Sequence, residues 1–321
     1  MKKLGRSAYV LIAACAALLP LVAQAQSYPE KAITLIVPFP AGGRTDLIGR
    51  IMAQTLGDKL GQPVLVVNKP GAGSVLGAKE VAGAKPDGYT LGFFSAAAVS
   101  SQYISANHVL LNAFDLIGIV NSDPAALAVG ADAPWNTVGD LVKDAKASPG
   151  KYRMGTIPGA STQLFTGGFA DAAGAQFLEV PFKGDSDGAM ALAGGHVEAH
   201  MAVPISYQSL TAAKKIKILA IAADKRSEFY PDIPTFVESG IDFKIGAFHG
   251  VFAPAGTPPD ILAKLADSLQ ATAQSQAVLD QMKSAGAVVH FLRDEPARAF
   301  IAEQDETFKS LIGKLGLAAA Q

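Results

Sequence analysis

Nine consecutive residues, Pro38-Phe39-Pro40-Ala41-Gly42-Gly43-Arg44-Thr45-Asp46, carry the chemistry most easily read from this chain. Two glycines let backbone N–H groups approach a ligand with no Cβ in the way. A helix beginning here adds unpaired N–H groups and the positive end of its dipole. Together these make an anion site that needs no cationic side chain. Asp46 would repel an anion, so it is expected to cap or order the turn. Arg44 has two readings: a bidentate partner for a carboxylate, or a side chain turned to solvent. A second turn, Gly155-Thr156-Ile157-Pro158-Gly159-Ala160-Ser161-Thr162-Gln163, repeats the logic. Gly159 and Ala160 allow backbone approach, and Ser161 and Thr162 place hydroxyls at a helix start, where Ser161 can also act simply as a cap. Two such turns suggest a ligand with two anionic ends held across a cleft.

The elements that must position these turns alternate strand and helix. Ile33 to Val37 is a continuous apolar, β-branched run, as expected of a strand buried on both faces. Leu47, Ile48, Ile51, Met52, Leu56 and Leu60 follow at helical spacing, with Gly61 where a C′ glycine belongs. Val64 to Val67 and Tyr89 to Phe94 are further strands, and Ser74 can cap the helix between them. Two βα units in sequence predict a parallel, doubly wound sheet, in which ligands bind beyond the carboxyl ends of the strands. Ser95 and Ala96 lie at such an end and join the candidate contacts. The middle of the chain repeats the alternation. Thr137 and Asp140 stand at capping-box spacing. The last hundred residues turn helical, with helices expected to cover the sheet of the first domain.

Length and composition bound the function. The 321 residues make two domains the expectation. With 27 basic against 28 acidic residues, binding to nucleic acid by bulk charge is excluded. Lys2, Lys3 and Arg6 precede an apolar run from Tyr9 to Val22, and Ala23-Gln24-Ala25 supplies a small-x-small cleavage pattern. Residues 1–25 therefore read as an export signal cleaved after Ala25, which directs the protein to the periplasm. The alternative is a lipoprotein anchored through Cys15. The signal holds three basic and no acidic residues, so 24 basic and 28 acidic remain, a charge of about −4. A single cysteine, Cys15, lies within the signal, leaving the mature chain no disulfide.

Six motifs in register resemble one family. They are Ile36-Val37-Pro38-Phe39-Pro40-Ala41-Gly42-Gly43 with Asp46, Asn68-Lys69-Pro70-Gly71-Ala72-Gly73, Lys85-Pro86-Asp87-Gly88-Tyr89-Thr90-Leu91, Val180-Pro181-Phe182-Lys183-Gly184, Pro231-Asp232-Ile233-Pro234-Thr235 with Glu238 and Gly240, and Phe252-Ala253-Pro254-Ala255-Gly256-Thr257-Pro258. The chain resembles the tripartite tricarboxylate receptors, the Bug or TctC-like periplasmic solute-binding proteins. The resemblance implies an α/β, two-lobed periplasmic binding protein of Venus-flytrap, type II-like form, each lobe a mostly parallel sheet flanked by helices. Residues 26–126 with 224–321 would form one lobe and 127–223 the other. It implies a small organic acid as ligand, with C4–C6 dicarboxylates favoured, no cofactor and no metal. The partner would be a tripartite permease or, alternatively, a membrane sensor kinase, and the protein would act as a monomer. The turn at Phe39 to Asp46 would bind one carboxylate. Gly159 to Gln163, Phe182-Lys183-Gly184 and Pro204 would face it from the opposite lobe. Lys183 has two readings, a carboxylate contact or a solvated loop lysine. The family often carries an Asp near Ala202; its absence here argues against an amino-acid ligand.

Other constellations point to nothing stronger. Gly71-Ala72-Gly73-Ser74-Val75-Leu76-Gly77 departs from a dinucleotide fingerprint by one residue and reads as a tight turn at the cleft rim. His196 and His200 flank Glu198 on a strand, where the i, i+4 spacing lacks the further ligands a metal needs. The Ser161 turn lacks the glycine of a nucleophile elbow, which argues against an enzyme. Trp135 reads as a packing residue. A valine at Gly43 is expected to abolish ligand binding by steric exclusion and backbone strain while the second lobe stays folded. Loss of calorimetric binding with retained far-UV dichroism is the check.

Overall fold

The computed structural model describes residues 28–105, 107–158, 161–227 and 229–318. The expected export signal, the cleavage after Ala25 and the Cys15 alternative lie outside the described residues. Among the described residues, no helix is long and apolar enough to cross a membrane.

Among the described residues, eleven strands form two sheets. The first contains β1 (Ile33–Val37), β2 (Val64–Asn68), β3 (Thr90–Ser95), β4 (Phe114–Pro124), β10 (Gly246–Pro254) and β11 (Val289–Leu292), in the order β11-β4-β10-β3-β1-β2. The second contains β5 (Ala126–Gly130), β6 (Arg153–Thr156), β7 (Leu178–Pro181), β8 (Ala199–Ala202) and β9 (Ile216–Ile221), in the order β7-β6-β8-β5-β9. The mostly parallel character expected of each sheet needs correction. β1 pairs parallel with β2 and β3, and β6 pairs parallel with β7 and β8. The remaining strands pair antiparallel. The physical reason is the crossing of the chain. β4 leaves the first sheet and runs through Ala125 directly into β5 of the second. Ala125 donates its N–H to Ile245 O at 2.9 Å and accepts from Ala222 N–H at 2.7 Å, so outgoing and returning chain are tied together where the sheets meet.

Buried faces fix the layers. Ile33, Leu35 and Val37 of β1 pack with Ile48, Met52 and Leu56 of the helix Arg44–Leu60 and with Phe93. The helix Pro259–Ala273 covers the same core through Leu265 and Leu269. Gly61 ends the helix Arg44–Leu60 in the left-handed conformation at φ 69. The helix Val138–Ala147 opens with the Thr137/Asp140 capping box. Ser74 is different. It precedes the helix Val75–Ala82 with φ 84 and makes no capping bond, its hydroxyl being buried without a partner. The last helix, Asp294–Lys314, covers the first sheet as expected, with Phe300 edge-on to Phe248, and also reaches the second lobe. It packs against the helix Ala96–Ile104 of the first lobe and the helix Ser161–Ala173 of the second. Its Phe308 and Ile312 share a core with Phe169, Phe236 and Phe243. Gly167 and Gly168 permit this approach, since Cβ atoms there would press on Leu315, Leu311 and Phe243. The helix therefore clasps both lobes. Truncating the fully buried Phe308 to alanine is expected to cost about 3–5 kcal/mol, read by urea denaturation.

Candidate functional site

The first turn stands at the carboxyl end of β1. Ala41, Gly42 and Gly43 are exposed, and Gly43 is the N-cap of the helix Arg44–Leu60. A helix gives no internal acceptor to its first amides, so those of Gly43 to Asp46 are open to an outside partner. The turn is held from within. The buried Asp46 accepts the Gly42 N–H at 2.8 Å, Arg50 Nε at 3.0 Å and Asn68 Nδ2 at 2.9 Å. Asn68, the last residue of β2, also donates to Phe39 O at 3.0 Å. Asp46 thus orders the turn and faces away from an anion, although it forms no cap bond at Gly43. Burial works against its ionisation. The Arg50, Gly42 and Asn68 hydrogen bonds and the Arg50 charge outweigh this and hold the carboxyl below its ordinary value. The strain expected of a valine at Gly43 does not arise, because Gly43 is extended at φ −76 and its Cβ would meet only Pro40 O at 3.5 Å. Gly42, at φ +81, is the position that requires glycine.

Behind the turn lies a polar chain that no short motif announced. Arg44 donates to Asp123 Oδ2 at 2.5 Å, and Asn121 Nδ2 donates to the same oxygen at 2.6 Å. His249 Nδ1 lies 2.8 Å from Asn121 Oδ1, and its Nε2 lies 3.0 Å from Thr45 Oγ1. Because the Asn121 amide nitrogen is committed to a carboxylate, its oxygen must accept, so His249 carries its proton on Nδ1 and Thr45 donates to Nε2. Burial, with Arg44 adding to it, lowers the His249 pKa to about 3, and the ring is neutral. The chain runs from the anion turn into β4 and β10 where they approach the crossing. Arg44 spends one arm on Asp123, and its buried Nε has no partner among the described residues. It lines a cavity of about 220 Å³ with Asp123, Pro204, Ile205, Phe229 and Tyr230. A larger hollow of about 530 Å³, beside Ser122, Phe248 and His290, includes none of the anticipated contact residues.

The second turn joins β6 to the helix Ser161–Ala173. Gly159 and Ala160 lie outside the described residues. Ser161 is the first helical residue, and the buried Thr162 donates to Asp185 Oδ1 at 2.9 Å. Gly184 is the N-cap of the helix Asp185–Ala193. Phe182 is half-buried and lies against the apolar cluster of the second lobe, while Lys183 is exposed. Pro204 is buried and opens a short 3₁₀ turn. In the first lobe, Phe39 packs on the core, Ser95 spends its hydroxyl on the Ala97 N–H at 3.3 Å, and Ala96 is fully buried. Trp135 is a packing residue, edge-on to Tyr152 and bonded to Asp144. His196 is exposed and His200 fully buried, so they form no pair, and Glu198 is engaged by Arg153. Among the described residues, no group of three potential metal ligands occurs. Sequence reasoning missed Asp123, Asn121, His249 and Asp185. The acidic pair Asp185 and Asp187 directly after Gly184, in the first turn of a helix, was a signal for the last.

Two sheets joined by crossing chain, with anion-competent turns at their strand ends, define a two-lobed solute-binding protein. Residues 48–317 match the Tripartite tricarboxylate transporter family receptor. The UPF0065 protein in the gbd 5′ region of Cupriavidus necator is 34% identical over 308 residues, 95% of this chain and 94% of that one. Protein BugT of Bordetella pertussis is 31% identical, covering 91% of each chain. A TctC solute binding protein from Polaromonas superposes with TM-score 0.81 at 33% identity, over 89% of this chain and 99% of that one. Two Rhodopseudomonas palustris structures are each 25% identical: MatC with bound malate, TM-score 0.74 over 89% and 100% of the two chains, and a protein with adipate, TM-score 0.78 over 91% and 99%. The chain belongs to the tripartite tricarboxylate transporter receptor family, whose members are periplasmic solute-binding receptors.

The role of Asp46 is open to a direct test. A carboxyl with a depressed native pKa contributes stability above its ordinary range and loses it as pH falls through the native value. Asp46→Ala is expected to cost about 1–3 kcal/mol at neutral pH. The deficit should shrink at pH values below about 4. Urea unfolding at both pH values measures it; equal stability at neutral pH would refute the role.

Proposed function

We propose that this protein is a periplasmic receptor that captures a small di- or polycarboxylate, a C4–C6 dicarboxylate in particular, and delivers it to a tripartite tricarboxylate-type permease. It carries out no reaction on the ligand. Residues 26–126 with 224–321 make one lobe and 127–223 the other, and the ligand bridges them. One carboxylate sits on the amides of Gly43 to Asp46 beside Ala41 and Gly42. The other end meets Ser161, Thr162 and the Phe182-Lys183-Gly184 segment. The observation that carries this reading is the inward commitment of Asp46, which leaves an exposed helix start with open amides and no acidic side chain competing for them. The ligands of the two R. palustris neighbours, malate and adipate, support the size range. Contacts to both lobes exist together only when they close, so binding selects the closed form.

Calorimetric titration of the mature protein with C4, C5 and C6 dicarboxylates should give saturable binding with a sharp optimum in chain length. Absence of heat with every organic acid would defeat the proposal. Deletion in the source bacterium should abolish uptake of the same acid, whereas loss of induction with uptake retained would reassign the protein to sensing.

A further inference from the structure

Arg44 faces two ways. Its amide belongs to the open helix start, while its side chain lines the cavity of about 220 Å³. Apart from Arg44 and Pro204, none of the residues expected to contact the bridging ligand borders that cavity. Its walls come from both sheets. Lys283, Gly286 and Val288 lead into β11 of the first, whereas Val203, Pro204 and Ile205 follow β8 of the second. The two sides meet, since a Cβ on Gly286 would collide with Ile205 Cδ1. Pro124, at the crossing, and the segment carrying Phe229 and Tyr230 continue the lining.

The cavity has cationic donors to spare. Asp123 is the one carboxylate among the described lining residues, and it is spent. Its Oδ2 accepts from Arg44 Nη2 and Asn121 Nδ2, and its Oδ1 accepts from the Val288 N–H at 3.3 Å. Of the Arg44 guanidinium nitrogens, only Nη2 is hydrogen-bonded among the described residues, and the side chain is 24% exposed. The Lys283 amine and the Tyr230 hydroxyl likewise form no hydrogen bond among the described residues, and Lys283 is exposed. Arg44 and Lys283 against Asp123 leave one net positive charge. Much of the wall is apolar: Pro124, Val203, Pro204, Ile205, Val288 and Phe229, whose ring is left 46% exposed. An apolar cavity of about 150 Å³ accepts benzene, so this one has room for a ring or short chain bearing an anionic group. A second carboxylate would bring a charge that nothing here neutralises, and a neutral molecule would leave the donors unanswered. We propose that this cavity is a second binding site, taking a compact monocarboxylic acid with an apolar body, separate from the site of the bridging ligand. Its separateness rests on the receptor reading above; its chemistry does not. An acid held by walls from both sheets favours the arrangement in which those walls face each other, so it binds alongside the bridging ligand.

Calorimetry on the mature protein, with benzoate and pentanoate as probes, tests it. Benzoate should bind at one equivalent. Benzamide, alike in shape but uncharged, should bind at least about tenfold more weakly. Benzoate should bind as tightly after saturation with a C4–C6 dicarboxylate as before it. Val288→Phe, which fills the cavity, should abolish benzoate binding and leave dicarboxylate binding in place. Lys283→Glu, at an exposed position, should weaken benzoate at least about tenfold and serves if Val288→Phe unfolds early. Failure of both probes to bind overturns the inference, as does equal binding of benzamide or an unchanged affinity in Lys283→Glu. Displacement of benzoate by a dicarboxylate also overturns it, since the two would then share one site. Benzoate binding with no dicarboxylate binding would remove the receptor reading and uphold the cavity as a monocarboxylate site.

Discussion

A helix cannot satisfy its own first amides, and most of the local architecture around Gly43 follows from that deficit. The first donors of the helix Arg44–Leu60 lie just beyond the end of β1, in an exposed turn. Keeping them available requires that the nearest carboxylate be occupied elsewhere. Asp46 is occupied by Gly42, Arg50 and Asn68, three donors from three parts of the chain. The second strand contributes through its final residue, so the β1–β2 pairing sets the shape of the turn as well as the sheet edge. An open helix start is demanding in geometry, and the geometry is supplied by these bonds.

The same turn is mechanically connected to the crossing between lobes. Arg44 and Thr45 anchor the two ends of a directed hydrogen-bond chain through Asp123, Asn121 and His249. The Thr45, His249, Asn121 and Asp123 links of the chain are buried and each has a defined donor and acceptor, so it resists rearrangement. Asp123 is one residue from the end of β4, whose continuation becomes β5. A movement of the helix start thus bears on the strand that carries the second sheet. The last helix adds a clasp over both lobes, and Ile205 of the second lobe sits against Gly286 of the first. The two lobes are tied by strands, by a helix and by side-chain contact.

The lobes present different chemistry to what lies between them. The first offers amide donors with its acidic group turned inward. In the second, Asp185 accepts from Thr162 at the start of the neighbouring helix.

What the sequence by itself determined was local. The buried run Ile33 to Val37, the glycines after Pro40, the Thr137/Asp140 box and the C′ glycine at Gly61 depend on neighbours within a few residues, and each is found in place. The six motifs likewise carried the family. Tertiary structure decided the rest. β4 was not recognised as a strand, because Gly118, Asn121, Ser122 and Asp123 interrupt its apolar pattern and its partners lie over a hundred residues away in β10. The polar residues that obscured it are those that form the chain to Arg44. The mixed pairing, the clasp by the last helix, and the meeting of Thr162 with Asp185 all depend on contacts between distant segments. Spacing along a chain reports periodicity and caps, whereas long-range partners are set by how crossing strands fold back upon each other.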